Sequence, residues 1–91
     1  MKYEQTITVN NKEIQVWSAE SQNEKWSGID SQFYNKPDGL IAEVLNYDNE
    51  YVVEYFKLGS GGQYHKQLKT TRTTNLASAC VYARSWAAQI N

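Results

Sequence analysis

The sequence predicts an α+β fold in which an antiparallel sheet of about five strands carries one C-terminal helix on one face. Two hairpins are indicated by pairs of apolar or alternating segments, each pair joined by a short polar turn. A further alternating segment follows a glycine-rich loop, and residues 76–90 instead repeat apolar side chains at helical spacing. The predicted element order is therefore β-β-irregular-β-β-β-α.

The first hairpin is predicted from two alternating segments, residues 3–9 and 13–18. Asn10 and Asn11 lie between them. Because asparagine tolerates the positive φ that a tight hairpin turn requires, these two residues favour a reversal of the chain.

Residues 19–36 are predicted to be an irregular connection, because neither strand nor helix spacing is sustained there. Trp26, Ile29 and Phe33 fit a helical spacing, but Gly28 weakens it. We expect the aromatic residues of this segment to cover apolar surface of the sheet.

A second hairpin is predicted over residues 40–47 and 50–57. Residues 36–39 have the composition of a type I turn that would start it. With Asp48 at the reversal, Glu43 is expected to lie opposite Glu54, with their Cβ atoms about 5 Å apart.

Residues 63–70 are predicted to be the fifth strand, reached through the glycine-rich loop. In the expected register, Tyr64 and Leu68 face the helix. His65 and Lys69 then face the glutamates of the neighbouring strands.

The C-terminal helix has the strongest pattern. Residues 73–75 are all competent to cap its first turn. Its small side chains allow close packing on a sheet, and its apolar stripe is predicted to comprise Leu76, Cys80, Ala83, Ala87 and Ile90, with Ala79 and Trp86 beside it.

The length of 91 residues leaves room for one core, so a single domain over residues 1–91 is expected. The lone Cys80 cannot form an intramolecular disulfide, which favours the cytoplasm as the location. There is no signal-peptide pattern and no apolar run of about 18 residues, so we expect no membrane partner.

Charge is distributed unevenly along the chain. Residues 1–54 hold all ten acidic side chains and four lysines, whereas residues 55–91 hold five basic side chains and no acidic one. Such polarity either steers a charged partner or draws the two halves together on folding.

The two faces of the predicted sheet differ. One face supplies the helix with an apolar surface. The opposite face is too apolar to remain in water, and we expect either residues 26–34 or another molecule to cover it; it carries Ile41, Glu43, Leu45, Val52, Glu54 and Phe56.

Catalysis is not expected from this sequence. Cys80 falls in the apolar helical stripe, and His65 lies on a different element without a third residue to orient it. A carboxylate pair of Glu43 and Glu54 would suit acid–base chemistry, but neighbouring cations are expected to neutralise it. No metal-ligand set or cofactor motif is present, so we expect no metal site, no cofactor and no enzymatic activity.

Nucleic-acid binding is one alternative function. The glycine-rich loop does not match a phosphate-binding fingerprint, because a strand follows it. The adjoining strand, however, mixes basic and ring side chains, namely Lys57, Tyr64, His65, Lys66, Lys69 and Arg72. Three strands followed by a helix are similar in outline to the AP2 and integrase-arm DNA-binding domains, a resemblance that implies contact with DNA through the sheet.

Binding of another protein is the function that the sequence favours. The interaction surface is predicted to comprise Ile41, Glu43, Leu45, Val52, Glu54, Phe56, Lys57, Tyr64, His65, Lys66, Lys69 and Arg72. In size, charge polarity and lack of catalytic residues the chain resembles phage-encoded regulators and inhibitors, including anti-CRISPR proteins. A homodimer formed through the apolar face stays open as a further alternative.

Overall fold

In a computed structural model, the described part of the protein forms a six-stranded antiparallel sheet with one helix. The structure describes residues 1–19, 28–48, 50–59 and 61–89, and the side chains of residues 67 and 68 are left out. The strands lie in sequence order and are followed by helix α1; their bounds are β1 Lys2–Val9, β2 Lys12–Ser18, β3 Ile29–Asn35, β4 Leu40–Tyr47, β5 Glu50–Leu58, β6 Tyr64–Thr73 and α1 Leu76–Ala87.

The α+β class and the antiparallel sheet are confirmed, but the irregular connection predicted over residues 19–36 is wrong for its second half. Ile29–Asn35 forms β3, which pairs with β2 on one side and β4 on the other. The sequence of β3 shows no clear alternation of apolar and polar residues, because both faces of this central strand bear large or polar side chains. Phe33 is buried under α1 and Tyr34 points to the other face. Trp26, the other aromatic of the expected cover, lies outside the described residues.

The turns adopt the backbone conformations that their residues favour. Asn10 and Asn11 have φ of 51° and 61°, as a primed hairpin turn requires. The amide of Gly39 donates to the carbonyl of Lys36 at 3.2 Å, which closes the predicted turn before β4. Gly39 has φ of 67°, a value that β-carbon-bearing residues seldom adopt.

The register of the β4–β5 hairpin is confirmed. Glu43 lies opposite Glu54, and Val44 lies opposite Val53. Because side chains alternate between the faces of a strand, this register sends the valines to the helix and the glutamates to the other side.

The predicted facing of β6 is wrong. Thr70 pairs with Glu54 and Lys66 pairs with Phe56, with a bulge between the two pairs. Tyr64, Lys66, Thr70 and Arg72 therefore share the face of Glu54 and lie away from the helix, whereas Lys69 lies on the helix side; the side chain of Leu68, which was also expected to face the helix, lies outside the described ones. The composition of the glycine-rich loop does not specify a register, and β6 has no strongly apolar face to set one either.

Helix α1 begins at a side-chain cap and packs on the sheet through small residues. The side-chain oxygen of Asn75 accepts a hydrogen bond from the amide of Ser78 at 3.1 Å. Ala79, Ala83 and Ala87 are fully buried against β4 and β5, as predicted. Leu76, in contrast, is 38% exposed, because it lies at the first turn beyond the sheet contact.

The apolar face opposite the helix is buried within the chain. Ile41, Leu45 and Val52 are 5%, 7% and 5% exposed. Their burial removes the need for a second molecule at these three positions.

No helix among the described residues is both long enough and apolar enough to cross a membrane.

Candidate binding groove

A groove runs between β6 and α1 on the helix side of the sheet. Its volume is about 720 Å³. We call it the β6–α1 groove and define it by its lining residues, which are Tyr55, Lys69, Thr70, Thr71, Arg72, Tyr82, Ser85, Trp86 and Gln89.

The floor of the β6–α1 groove is held by contacts between three elements. The Tyr55 hydroxyl of β5 and the Thr71 hydroxyl of β6 are hydrogen-bonded at 2.7 Å. The Tyr55 ring packs against Trp86 of α1 with centroids 5.3 Å apart. These contacts fix the rings of Tyr55 and Trp86, so the floor is preorganised. Binding of a ligand would therefore not incur the entropy cost of ordering these rings.

The rim of the groove is aromatic on the helix side and basic on the strand side. Tyr82 is 45% exposed, although its ring is apolar over most of its surface. Lys69 stands on β6 across from it, and Arg72 borders the groove although its side chain is directed to the other face, where it pairs with Glu50. The described lining contains no carboxylate, so the groove attracts negative charge.

Arg72 is less available than Lys69. It forms an exposed ion pair with Glu50 of β5. Arg72 is therefore partly neutralised within the fold. Lys69 has no carboxylate partner among the described residues, and it is the groove's principal cation.

The strand that borders the groove is an edge of the sheet. In the described sheet β6 pairs with β5 alone. Nearly every described side chain along β6 is exposed, with Thr71 and Thr73 half-buried. An edge strand beside a groove offers backbone hydrogen-bonding groups and side-chain contacts to the same ligand.

The two glutamates that were predicted to face each other each have a separate partner. Gln32 donates to Glu43 at 3.1 Å, and Lys66 forms an ion pair with Glu54. The cation is thus Lys66, where His65 and Lys69 were expected. Burial raises the pKa of Glu43, the hydrogen bond from Gln32 lowers it by less, and the Glu54 charge raises it further.

The other residues of the predicted interaction surface lie outside the groove, in different parts of the fold. His65 and Lys57 are exposed and pair in register near one end of the β5–β6 hairpin. Phe56 is half-buried, and Ile41, Leu45 and Val52 lie beneath the surface. The sequence-predicted residues therefore do not form one continuous site, and only Lys69 and Arg72 line the β6–α1 groove.

Tyr64 belongs to a separate aromatic cluster on the opposite face. It is 50% exposed and shares a shallow hollow with Tyr34, Trp17 and Ile41. Burial, followed by the neighbouring Tyr34, raises the pKa of Tyr64. Tyr64 of β6 and Tyr34 of β3 line the same hollow although β4 and β5 lie between their strands. The twisted sheet therefore curls toward this face.

Cys80 lies on the inner side of α1, where burial raises the pKa of its thiol. The hydroxyl of buried Ser31 lies near enough to favour the thiolate, but without the geometry of a full hydrogen bond. A thiol of raised pKa is a weak nucleophile at neutral pH. Within the described parts of the chain, no group of three or more His, Cys, Asp or Glu side chains is placed to hold a metal ion.

The groove's aromatic wall was missed by sequence reasoning, although the sequence contains a pattern for it. Tyr82, Ser85, Trp86 and Gln89 follow the spacing i, i+3, i+4 and i+7, which places them on one side of a helix. That side is adjacent to the buried alanines and amphipathic in composition, so it can be recognised as a second face of α1.

Compared with known proteins, the chain matches no protein-family model, and no curated protein or solved structure gives a significant match.

Proposed function

We propose that this protein is a small binding module without chemistry of its own, which regulates or inhibits another protein by engaging it through the β6–α1 groove. The observation that carries the proposal is the combination, in one groove, of exposed Tyr82, the preorganised ring of Trp86 and the cation of Lys69. Tyrosine, tryptophan and basic side chains are the residues that dominate the affinity of protein interfaces.

The aromatic wall and the basic edge have different roles in this proposal. Tyr82 and Trp86 supply apolar contact area with few rotatable bonds, so a partner gains affinity at a low cost in side-chain entropy. Lys69 attracts and orients an acidic partner and sets the rate of association.

Nucleic acid is the second candidate, because residues 55–91 carry five basic side chains and no acidic one. Two of those cations, Lys66 and Arg72, are already ion-paired with glutamates, which weakens their use as phosphate ligands. Glu43 and Glu54 also lie on the sheet face that the outline similarity to AP2 domains assigns to DNA. Protein is therefore the better-supported partner.

The test is affinity capture with immobilised full-length protein and a pair of helix variants. Tyr82→Ala removes an exposed ring of the groove, whereas Val81→Ala shortens the neighbouring exposed side chain outside the groove lining. We expect Val81→Ala to retain the captured protein and Tyr82→Ala to lose most of it. A captured protein that both variants retain equally would show that the groove is not the binding site.

A parallel measurement distinguishes the nucleic-acid alternative. Labelled double-stranded DNA and single-stranded RNA are titrated with the protein at low salt. We expect no binding at low micromolar protein. Salt-dependent binding that is lost when Lys66 and Lys69 are replaced by glutamate would replace protein with nucleic acid as the partner.

A further inference from the structure

The outer edge of β6 is regular where it borders the groove. Residues 70–73 pair one to one with β5, from Thr70 opposite Glu54 to Thr73 opposite Tyr51. The bulge and the basic residue Lys66 lie on the far side of Thr70. Bulges and lysines keep an edge strand from pairing with other strands, and here they protect the part of β6 that precedes Thr70, which includes Lys69 of the groove lining.

Residues 70–73 are thus a short edge without a bulge, and no described strand pairs with its outer side beside the groove. Thr71 and Thr73 point to the helix side, and Arg72 points to the other face. A strand laid against this edge would send every second side chain toward Tyr82 and Trp86, because side chains alternate along a strand.

Charge decides which strand fits this edge. The described side chains of β6 include three cations and no acidic residue, but Lys66 and Arg72 are ion-paired with Glu54 and Glu50 of β5. A second copy of β6 paired edge to edge would bring further basic side chains and no carboxylate to Lys69. An acidic strand would instead place a carboxylate near Lys69.

We infer that the β6–α1 groove binds an extended acidic segment of another protein, which adds as a seventh strand to residues 70–73 and places alternate side chains between Tyr82 and Trp86. This inference rests on the proposed function and specifies its partner. Backbone hydrogen bonds to β6 provide sequence-independent affinity, the groove selects apolar or aromatic side chains at alternate positions, and Lys69 selects for acid.

The test is selection of random 12-residue peptides, displayed on phage, against the immobilised full-length protein. We expect the enriched peptides to be rich in Asp and Glu, with apolar residues at every second position. Enriched peptides are then synthesised, and their affinity is measured by fluorescence anisotropy. N-methylation of the peptide amides at every second residue should abolish binding and at the intervening residues should not, because only alternate amides of a strand face its neighbour.

Matched variants of the protein locate the peptide. Lys69→Glu should weaken binding at least about fivefold, the effect of roughly 1 kcal/mol. Lys57→Glu makes the same change in net charge at an exposed position outside the groove and should leave the affinity within about twofold. Both substitutions are at exposed positions, and circular dichroism verifies that both variants are folded.

Three outcomes would overturn the inference. In the first, no peptide is enriched on the wild-type protein relative to the Tyr82→Ala protein. In the second, the enriched peptides are basic or proline-rich. In the third, peptides N-methylated at either set of alternate positions bind equally well. If groove-dependent capture of a protein persists in any of these cases, the proposed function stands and only the strand-addition mode is wrong. If capture is also independent of Tyr82, both are wrong.

Discussion

At the scale of single residues, Glu43 shows how a sheet tolerates two carboxylates opposite each other. Glu54 is neutralised by the ion pair with Lys66. Glu43 is half-buried beside Gln32, which donates a hydrogen bond but brings no positive charge. Ionised Glu43 therefore destabilises the folded state at neutral pH.

Glu43→Gln is expected to stabilise the protein at pH 7 by about 0.2–1 kcal/mol, the range of a cross-strand charge interaction. The sign follows from the raised pKa of Glu43. A carboxyl group whose pKa is higher in the folded than in the unfolded state takes up a proton on folding, so the folding free energy becomes less favourable as the pH rises through the interval between the two values. The gain from glutamine should accordingly disappear below the ordinary pKa of glutamate.

Urea unfolding at pH 7 and at pH 4 measures this difference. Glu54→Gln is the control, because it removes the partner of Lys66 and should not stabilise the protein. A lower stability of Glu43→Gln than of wild type at pH 7 would show that Glu43 is favourably solvated after all.

Asn35 is the residue that ties the turn before β4 to the end of α1. It is fully buried. Its Nδ2 donates to the carbonyl of Ala87 at 2.7 Å and to Asp38 at 3.0 Å, and its Oδ1 accepts from the amide of Asp38 at 3.2 Å. Asn35→Ala leaves buried groups without partners, so we expect a loss of about 1–3 kcal/mol in the free energy of unfolding.

Lys12→Ala provides the contrast to Asn35→Ala. Lys12 lies 3.0 Å from Asp38 and is the main cause of the lowered pKa of that carboxyl, followed by Asn35. Because this ion pair is solvent-accessible, its removal should lower the free energy of unfolding by less than Asn35→Ala does. NMR titration should show the pKa of Asp38 returning toward its ordinary value, and the stability that the pair contributes should be lost as the pH falls through the lowered pKa. An equal cost for both substitutions would show that the buried network is not specific to Asn35.

At the scale of elements, the start of α1 depends on a single cap. Asn75 satisfies the amide of Ser78, and the first turn of the helix contains no acidic residue to assist it. Asn75→Ala should therefore destabilise the protein by about 1 kcal/mol, whereas Asn75→Asp should be neutral or stabilising because a carboxylate also complements the helix dipole. Thermal unfolding followed by circular dichroism measures both, and equal melting temperatures for the alanine and aspartate variants would contradict the assignment.

The elements that the sequence predicts correctly are those in which local pattern and turn chemistry agree. The register of residues 40–47 and 50–57 is predictable because a short turn prevents the two strands from shifting relative to each other. The valines of both strands also indicate which face of the sheet meets the helix. Helix α1 was predicted from its alanines for the same reason: three of them at spacings of four meet the sheet.

The sequence was insufficient where an element is defined by its neighbours. Ile29–Asn35 has no alternation that separates it from a loop, and it becomes β3 because β2 and β4 hydrogen-bond to it on both sides. The facing of β6 depends on its register with β5, which places the same set of residues on each face on both sides of the bulge and which no residue type in the sequence fixes. Since the β6–α1 groove is formed by the face of β6 and one side of α1, its lining was not predictable until that facing was known.

At the scale of the whole molecule, the uneven charge of the chain serves the first of the two purposes that the sequence left open, which is to draw the two halves together. Lys66 and Arg72 from the basic C-terminal part pair with Glu54 and Glu50 from the acidic N-terminal part, so folding neutralises part of the asymmetry. Lys69 lines the β6–α1 groove and has no carboxylate partner among the described residues, so it is the surplus positive charge at the proposed binding site. Steering of a charged partner stays a prediction that depends on this residue.

The same surplus has a consequence for self-association, because β6 is long and open. Charged side chains on an edge strand discourage edge-to-edge pairing, so the wild-type protein is expected to be monomeric at about 100 µM, the concentration range in which exposed edges associate. Lys69→Val combined with Arg72→Val removes two of these charges and supplies side chains that favour strands. That double variant should form dimers or larger species.

Lys36→Val combined with Lys57→Val is the matched control, since it makes the same change in net charge at exposed positions away from the edge of β6. Light scattering coupled to size-exclusion chromatography should show the control as a monomer and the β6 variant as a concentration-dependent oligomer. If both double variants stay monomeric, the basic residues of β6 are not needed to prevent pairing, and their place beside the groove is explained by partner recognition alone. If the wild type is itself a dimer that Lys69→Glu disrupts, like charges on β6 do not prevent pairing, and the edge is a self-association surface.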